Sequence, residues 1–472
     1  MNINTFNTTL QNQANTISDI KYNLGMSGNG IISLSEEGLY DIRDYSQIQA
    51  EGSFSFNSML KDTAVATKNI EKGEFVYISP FTYNIGNLTD TLTDRYSSVA
   101  FTENVIMTLF YRESTNGDSS YGNLYGNISI YENEELLSST DTLLVENVIL
   151  NYSLFSIALS ETTACVLCQR SSQNISVLLI NRAGSSLTVN STATIVGEYL
   201  RNCVLLEQNK VFYACRNFFY GNMKCGILNF SNGTIQQYTY DLTAQLSDEY
   251  SIEVCSVKMS STKVIVVARI NSKLRIFTCL INGTNVTITS EETTNYSGNI
   301  MSGAKVNDNT IVLPFMYAIG GAVLDPHRYY LILIKFTSSG AIESITNTQL
   351  MSNLPIQSRI PCAIFNNEIY SVSIQDHDVF LTKILIDGEA VSFSNTPIFK
   401  ISDFQINESI IPSLIEAPNG LLATFGDGIN IYTAYFKNKN MVTNELNYFN
   451  GIALSSGTPG DTIRVGLVGQ EE

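Results

Sequence analysis

Few residues in this chain are of the types that do chemistry at neutral pH. There are two histidines in 472 residues. His327 stands in Asp325-Pro326-His327-Arg328, and His377 in Asp376-His377-Asp378. Imidazole flanked by carboxylates can ligate a metal or share a proton, and a pair of carboxylates can cleave a glycosidic bond. Asp325, His327, Asp376, His377 and Asp378 are therefore candidates for a metal or ligand site, and the same residues also read as ordinary solvated loop residues. A third cluster, Phe218-Phe219-Tyr220, places three aromatic side chains in a row where a loop is expected, a composition that fits a contact patch or packing on a neighbouring element.

Catalytic patterns are missing elsewhere. Cys165 and Cys168 have the spacing of a metal pair, but residues three apart on a strand point to opposite faces, and no second pair completes the set. Cys203 (RNCVLL), Cys255 (EVCSVK) and Cys362 (IPCAIF) are expected at one place in three copies of a repeated unit, as small apolar fillers. There is no G-x-S-x-G, no phosphate-binding Gly-Lys loop and no H-E-x-x-H. With no tryptophan in the chain, the Asp-box, WD and kelch signatures are absent as well. No cofactor is implied, and the reading is of a protein that is not an enzyme.

What must position these candidates is a repeat spanning residues 97–449. Ile360–Phe365, Glu368–Ile374, Val379–Ile386 and Ala390–Phe399 read as four short strands, with turns at Asn366-Asn367 and Asp387-Gly388. Six further copies begin near Ser97, Tyr152, Leu200, Tyr250, Asn299 and Ser409, the last with MVTNELNYF as its fourth strand. A four-stranded unit recurring at this period predicts a propeller, in which a closed ring leaves only short edges. The turns between third and fourth strands carry Gly184, Asn232-Gly233, Asn282-Gly283, Gly340 and Asp387-Gly388, residues suited to tight hairpins. The loops after the second strands vary in length and hold Phe218, Phe219, Tyr220 and both histidines, so recognition is expected there.

The ends of the chain are of another kind. Ile3, Phe6, Leu10, Gln13, Ile17, Ile20 and Leu24 alternate spacings of three and four, a heptad seam. This predicts an N-terminal helix over residues 1–26 that oligomerises through Phe6, Leu10, Ile17, Ile20 and Leu24, as a homotrimer. Residues 27–96 are β-rich, with strand-turn-strand over Thr63–Ser79. A matching piece, GIALSSGTPGDTIRVGLVG, lies within residues 450–472, and the two are expected to form one base. The fold class is therefore all-β: a seven-bladed propeller inserted into a small β-domain formed by both termini, with a short coiled-coil helix.

AVATKNIEKGEFVYI together with GIALSSGTPGDTIRVGLVG resembles the small β-domain of bacteriophage fibre and capsid-decoration proteins. The heptad with its Gly-rich stop also resembles the start of tail-fibre chains. The resemblance covers the two ends, about a quarter of the chain. It implies a virion protein, assembled with other virion structural proteins, whose propeller binds a host cell-surface polysaccharide or protein. A purely structural capsid or baseplate component and a propeller-type carbohydrate-active enzyme are the competing readings.

Charge and hydropathy narrow the partners. A net charge of −17 with no compensating basic run repels phosphate backbones, so nucleic acid is not expected. No apolar run exceeds strand length, so no membrane insertion is expected. Met1 to Thr9 lacks the charge and apolar core of a secretory signal, which predicts synthesis in a cytosol; residence in a virion is what the resemblance implies.

Overall fold

The computed structural model describes residues 60–467 with gaps, the longest of them 89–95, 114–120, 217–222, 243–252, 318–327, 350–360, 402–411 and 444–450. The expected N-terminal helix, with Phe6, Leu10, Ile17, Ile20 and Leu24, lies outside the described residues. The described residues are all-β, and the chain divides into two units: Met1–Thr82 with Asn438–Glu472, and Tyr83–Lys437.

The larger unit is a seven-bladed propeller. Blade one consists of Tyr96–Thr102, Val105–Glu113, Tyr121–Glu132 and Glu135–Ile149, paired antiparallel in that order. Blades two to four repeat the scheme from Leu154–Ala158, Glu198–Glu207 and Glu253–Ser260. Blades five and six start at Ala304–Asn307 and Cys362–Phe365 and each carry one extra short strand. Blade seven contains Ser413–Ala417, Gly420–Gly426 and Ile431–Thr443. Each first strand lies against the first strand of the next blade, and that of blade seven lies against that of blade one, which closes the ring.

The burial pattern explains why sequences this apolar form strands here. Second strands are buried on both faces: Gly420–Gly426 is buried at every position. Such strands have no solvent side and read as continuous apolar runs. Along Thr163–Ser171 the side chains alternate between two cores: Ala164, Val166 and Cys168 pack with blade one, Cys165 and Leu167 with blade three. The Cys165/Cys168 pair thus faces opposite ways, as strand geometry requires. Fourth strands sit outermost, and Thr234–Asp241 has no fully buried position. A polar alternation suffices there.

Turn chemistry sets the hairpins. Gly184, Gly233, Gly283, Gly340 and Gly388 all have positive φ, between 60° and 91°. Asn232 precedes Gly233 with φ 51°, and Asn366-Asn367 has φ 51° and 62°, so each of these pairs supplies the two left-handed residues of a mirror-image turn.

The seventh copy departs from expectation. Met441 to Thr443, the described part of MVTNELNYF, extends the third strand rather than opening a fourth. Lys437-Asn438-Lys439-Asn440 lies within that one strand. In the sheet order its neighbour is Phe75–Leu88, from the N-terminal side. Leu88 packs with Tyr96, Phe110, Tyr125 and Ile431. Residues from 83 onward therefore belong with the propeller.

The smaller unit is built from both ends of the chain. Leu60–Ala66 pairs antiparallel with Thr462–Leu467 from Leu60↔Leu467 to Val65↔Thr462. Gly451–Ala453 pairs with the same C-terminal strand, and Ile70 bridges Gly457. Val65↔Met441 and Ala66↔Val442 add a parallel contact. Ala66, Ile70, Ala453, Ile463 and Val465 form its buried core.

All eight cysteines are free thiols. Cys203, Cys255 and Cys362 do lie on first strands, but not at one equivalent place. Cys255 packs towards blade five, whereas Cys203 and Cys362 pack towards the blade before their own, because their distances from the following hairpin differ. Burial pushes the thiols of Cys168, Cys215 and Cys362 up to about 12 from an ordinary value of 9.0. At pH 8 this lowers their thiolate fraction roughly a thousandfold. Burial pushes the Cys203 thiol up to about 12 as well, although its side chain is partly exposed, so a thiol-specific disulfide reagent is expected to leave all four unreacted until the protein unfolds. The folded values are raised, so this stabilisation is complete below pH 9 and is lost as pH rises from about 9 to about 12. Alkaline unfolding midpoints that do not shift in the Cys168→Ala or Cys215→Ala protein would contradict that assignment.

Candidate functional site

The innermost strands of the propeller enclose a central cavity of about 850 Å3. All seven first strands contribute to its wall, among them Val99, Ile157, Leu205, Val257, Ala304, Ile364 and Leu414. The wall runs into the first hairpins of blades two and seven, at Ser160-Glu161 and Pro418-Asn419, so the cavity lies at that end of the channel.

Local structure fixes this rim. Asn419 has φ 55°, and the Tyr435 hydroxyl donates to the Pro418 carbonyl, which holds the blade-seven hairpin. Arg182 spans the blade-two hairpin, donating to the Gly184 and Glu161 carbonyls at 3.0 and 3.3 Å, and its guanidinium lies 5.6 Å from the ring centre of Phe101. The Ser97 and Ser156 hydroxyls bond at 2.8 Å between blades one and two. Ser302 Oγ accepts from the Cys362 amide at 2.8 Å, joining blades five and six. At Gly303 a Cβ would meet Leu313 Cδ2 at 2.5 Å and Val257 Cγ2 at 2.6 Å, so a side chain there would force these inner elements apart.

Four charged side chains belong to the wall: Glu161, Lys258, Lys305 and Glu416. The Lys305 ammonium is held by the Met259 carbonyl and by Asp308 Oδ1, both at 2.7 Å. Desolvation raises the Glu416 carboxyl above the ordinary carboxylate range, and Lys258 opposes that shift. Blades four and seven are three apart one way round the ring and four the other, so Lys258 and Glu416 come from opposite sides of the channel.

None of the candidate site residues singled out from the sequence is among the described residues of this wall. Phe218, Phe219, Tyr220, Asp325, His327, Asp376 and His377 lie outside the described residues, and only the backbone of Asp378 is described. The strand ends that carry their loops are clear: Arg216 pairs Met223, Tyr317 pairs Arg328, and Gln375 pairs Asp378. All three are junctions of second and third strands, at the opposite end of the blades from the hairpins that bound the cavity. Among the described residues no group of three His, Cys, Asp or Glu side chains could hold a metal. Sequence reasoning passed over Lys258 and Glu416. Their signal is a charge interrupting an apolar first strand just before its hairpin, in EVCSVKMSS and SLIEAPN.

No protein-family model matches the chain, and no curated protein does. Similar folds are found among solved structures that are distant in sequence. The WD40 domain of Toxoplasma gondii coronin has TM-score 0.48 at 8% identity, covering 83% of this chain and 95% of that one. A polysaccharide lyase has TM-score 0.46 at 10% identity, covering 81% and 100%. The β-propeller domain of the Pyrococcus furiosus trilobed protease has TM-score 0.41 at 8% identity, covering 79% and 97%. At these values the likenesses carry no functional argument, and the propeller rests on its own strand order and ring closure.

Proposed function

We propose that this chain is a bacteriophage virion fibre or decoration protein, without enzymatic activity, whose propeller presents loops that bind a host cell-surface polysaccharide or protein. The observation that carries the reading is the antiparallel pairing of Leu60–Ala66 with Thr462–Leu467, from Leu60↔Leu467 to Val65↔Thr462. These are the two segments that resemble the small β-domain of phage fibre and decoration proteins, and here they share one sheet. A base made from both ends of a chain ties down both ends of whatever is inserted between them. In this reading the base, with the N-terminal heptad as a trimerising helix, attaches to other virion proteins. The second-to-third strand loops are then the working surface.

Those loops are carried on strands buried on both faces, a scaffold suited to recognition. Phe218, Phe219 and Tyr220 follow the strand end at Arg216↔Met223 and are assigned as the contact patch, with Asp325, His327, Asp376, His377 and Asp378 beside the corresponding ends in blades five and six. The F219A/Y220A double variant is expected to keep its fold and lose binding to host cells by at least tenfold. Full binding by that variant, with loss instead on altering the first-strand hairpins, would reverse the assignment of faces.

A further inference from the structure

The strands of blade one have two unlike faces. Towards blade two they present Val99, Phe101, Val105, Met107, Leu109 and Leu124, an apolar wall. Alternation along the same strands turns Ser98, Thr108, Asn127 and Ser129 the other way, with Ala100, Ile106 and Tyr131, towards blade seven. Blade seven answers in kind. Thr424 and Thr433 oppose each other in the strand pairing and lie on the face of Leu422 and Tyr435. These six polar side chains are all buried, and they are six of the fourteen buried polar side chains among the described residues. The seam that closes the ring is therefore polar where the seam beside it is apolar.

The hydrogen bonds of these groups do little to hold the seam. Ser98 donates to Thr108 at 3.1 Å, Asn127 to Ser139 and Asp141 at 2.8 and 2.6 Å, and Ser129 to Asn127 at 2.8 Å. Each of these bonds joins two residues of blade one, so parting the blades breaks none of them. The Thr424 hydroxyl has no partner among the described residues. It stays dehydrated while the seam is shut and gains water when the seam opens. The apolar cluster beside these groups has six buried members, two of them alanines, against sixteen in the seam with blade two. Apolar burial, the main force between packed sheets, is correspondingly weak here. A strap supplies the rest. Phe75–Leu88 lies beside Ile431–Thr443 in the sheet order, and its Leu88 packs with Tyr96 and Phe110 of blade one and Ile431 of blade seven.

We infer that the propeller opens at this seam. Blades one and seven part transiently and admit water, with Phe75–Leu88 as the strap that limits the opening, while the seam between blades one and two stays shut. The device stands or falls separately from a virion role.

Thiol labelling reads each seam by itself, because native cysteines already sit in shut ones. Cys168 lies in the seam of blades one and two, and Cys215 in that of blades two and three. T424C and T108C, made one at a time in the full chain, place a thiol in the seam of blades seven and one. Iodoacetamide labelling at pH 8 is followed by peptide mass analysis, and each rate is divided by that of the same site in denaturant. The thiol introduced by either substitution is expected to react at least about tenfold faster than Cys168 and Cys215 in the same molecule. Equal or slower labelling would overturn the inference. Thr424→Val replaces the unpartnered hydroxyl by a methyl group of the same shape. It is expected to raise the thermal unfolding midpoint and to slow labelling of the T108C thiol at least about threefold. A lowered midpoint, or labelling at position 108 that Thr424→Val leaves unchanged, would also overturn it.

Discussion

Truncation after Phe449 is expected to strip amide protection from residues 60–66 while leaving the propeller blades protected. The deletion removes Gly451–Ala453 and Thr462–Leu467, and with the latter every antiparallel partner of Leu60–Ala66. What remains for that strand is the short parallel contact at Val65↔Met441 and Ala66↔Val442. It also removes Ala453, Ile463 and Val465 from a core whose other members among the described residues are Ala66 and Ile70. An isolated strand with two buried neighbours cannot offset the entropy of ordering it. Hydrogen exchange of the truncated chain should therefore be at least about 100-fold faster at 60–66 than in the parent, equivalent to roughly 2.7 kcal/mol. Unchanged exchange there would mean that the N-terminal strand is held by something other than the C-terminal one.

The second large effect is expected at Gly420, the first residue of the second strand in blade seven. A Cβ at this position would sit 2.0 Å from the Phe436 carbonyl oxygen and 3.0 Å from its carbon. These are backbone atoms of the paired strand, where Gly420 opposes Lys437, so no rotamer change relieves the clash. Gly420→Ala must separate the two strands, and a loss of about 3 kcal/mol or more is expected. Gly283 provides the contrast. Nothing lies within 4 Å of its added Cβ, and only its φ of 65° opposes substitution. Gly283→Ala should lose only about 1–2 kcal/mol. Denaturation midpoints for the two variants, followed by a probe in the propeller, check the order. Equal losses would show that the inner hairpin of blade seven is not packed as described.

Much of the architecture was legible because propeller strands are written in a redundant code. Buried second and third strands produce runs such as Val264–Ala268, and a left-handed turn demands Asn or Gly. The hairpin glycines at 184, 233, 283, 340 and 388 were each readable from the residue alone, and each has the positive φ that its identity implies. The seventh blade was misread for the opposite reason. Met441 to Thr443 has strand composition, but nothing local records that it continues its predecessor, or that Phe75–Leu88 from the other end of the chain stands beside it. Pairing between distant segments leaves no mark on either one.

The channel was illegible on similar grounds. Lys258 and Glu416 are separated in sequence by two intervening blades, and ring closure brings them to one cavity. The cysteines mark a subtler limit. First-strand membership of Cys203, Cys255 and Cys362 followed from repeat alignment, but a one-residue difference in distance to the hairpin reverses the face on which a side chain points. Cys255 consequently packs on the other side from its two counterparts.

The proposed virion role, with the chain held by its ends and the propeller engaging a host, is open to direct test. The most direct measurement is electron microscopy of purified phage particles in which the propeller carries a bound antibody fragment directed against residues of blade four. The account predicts label on the particle surface, in groups of three per attachment point, with the propeller outermost. Particles that lack the chain altogether, or that carry it only as single copies buried within the capsid wall, would contradict it.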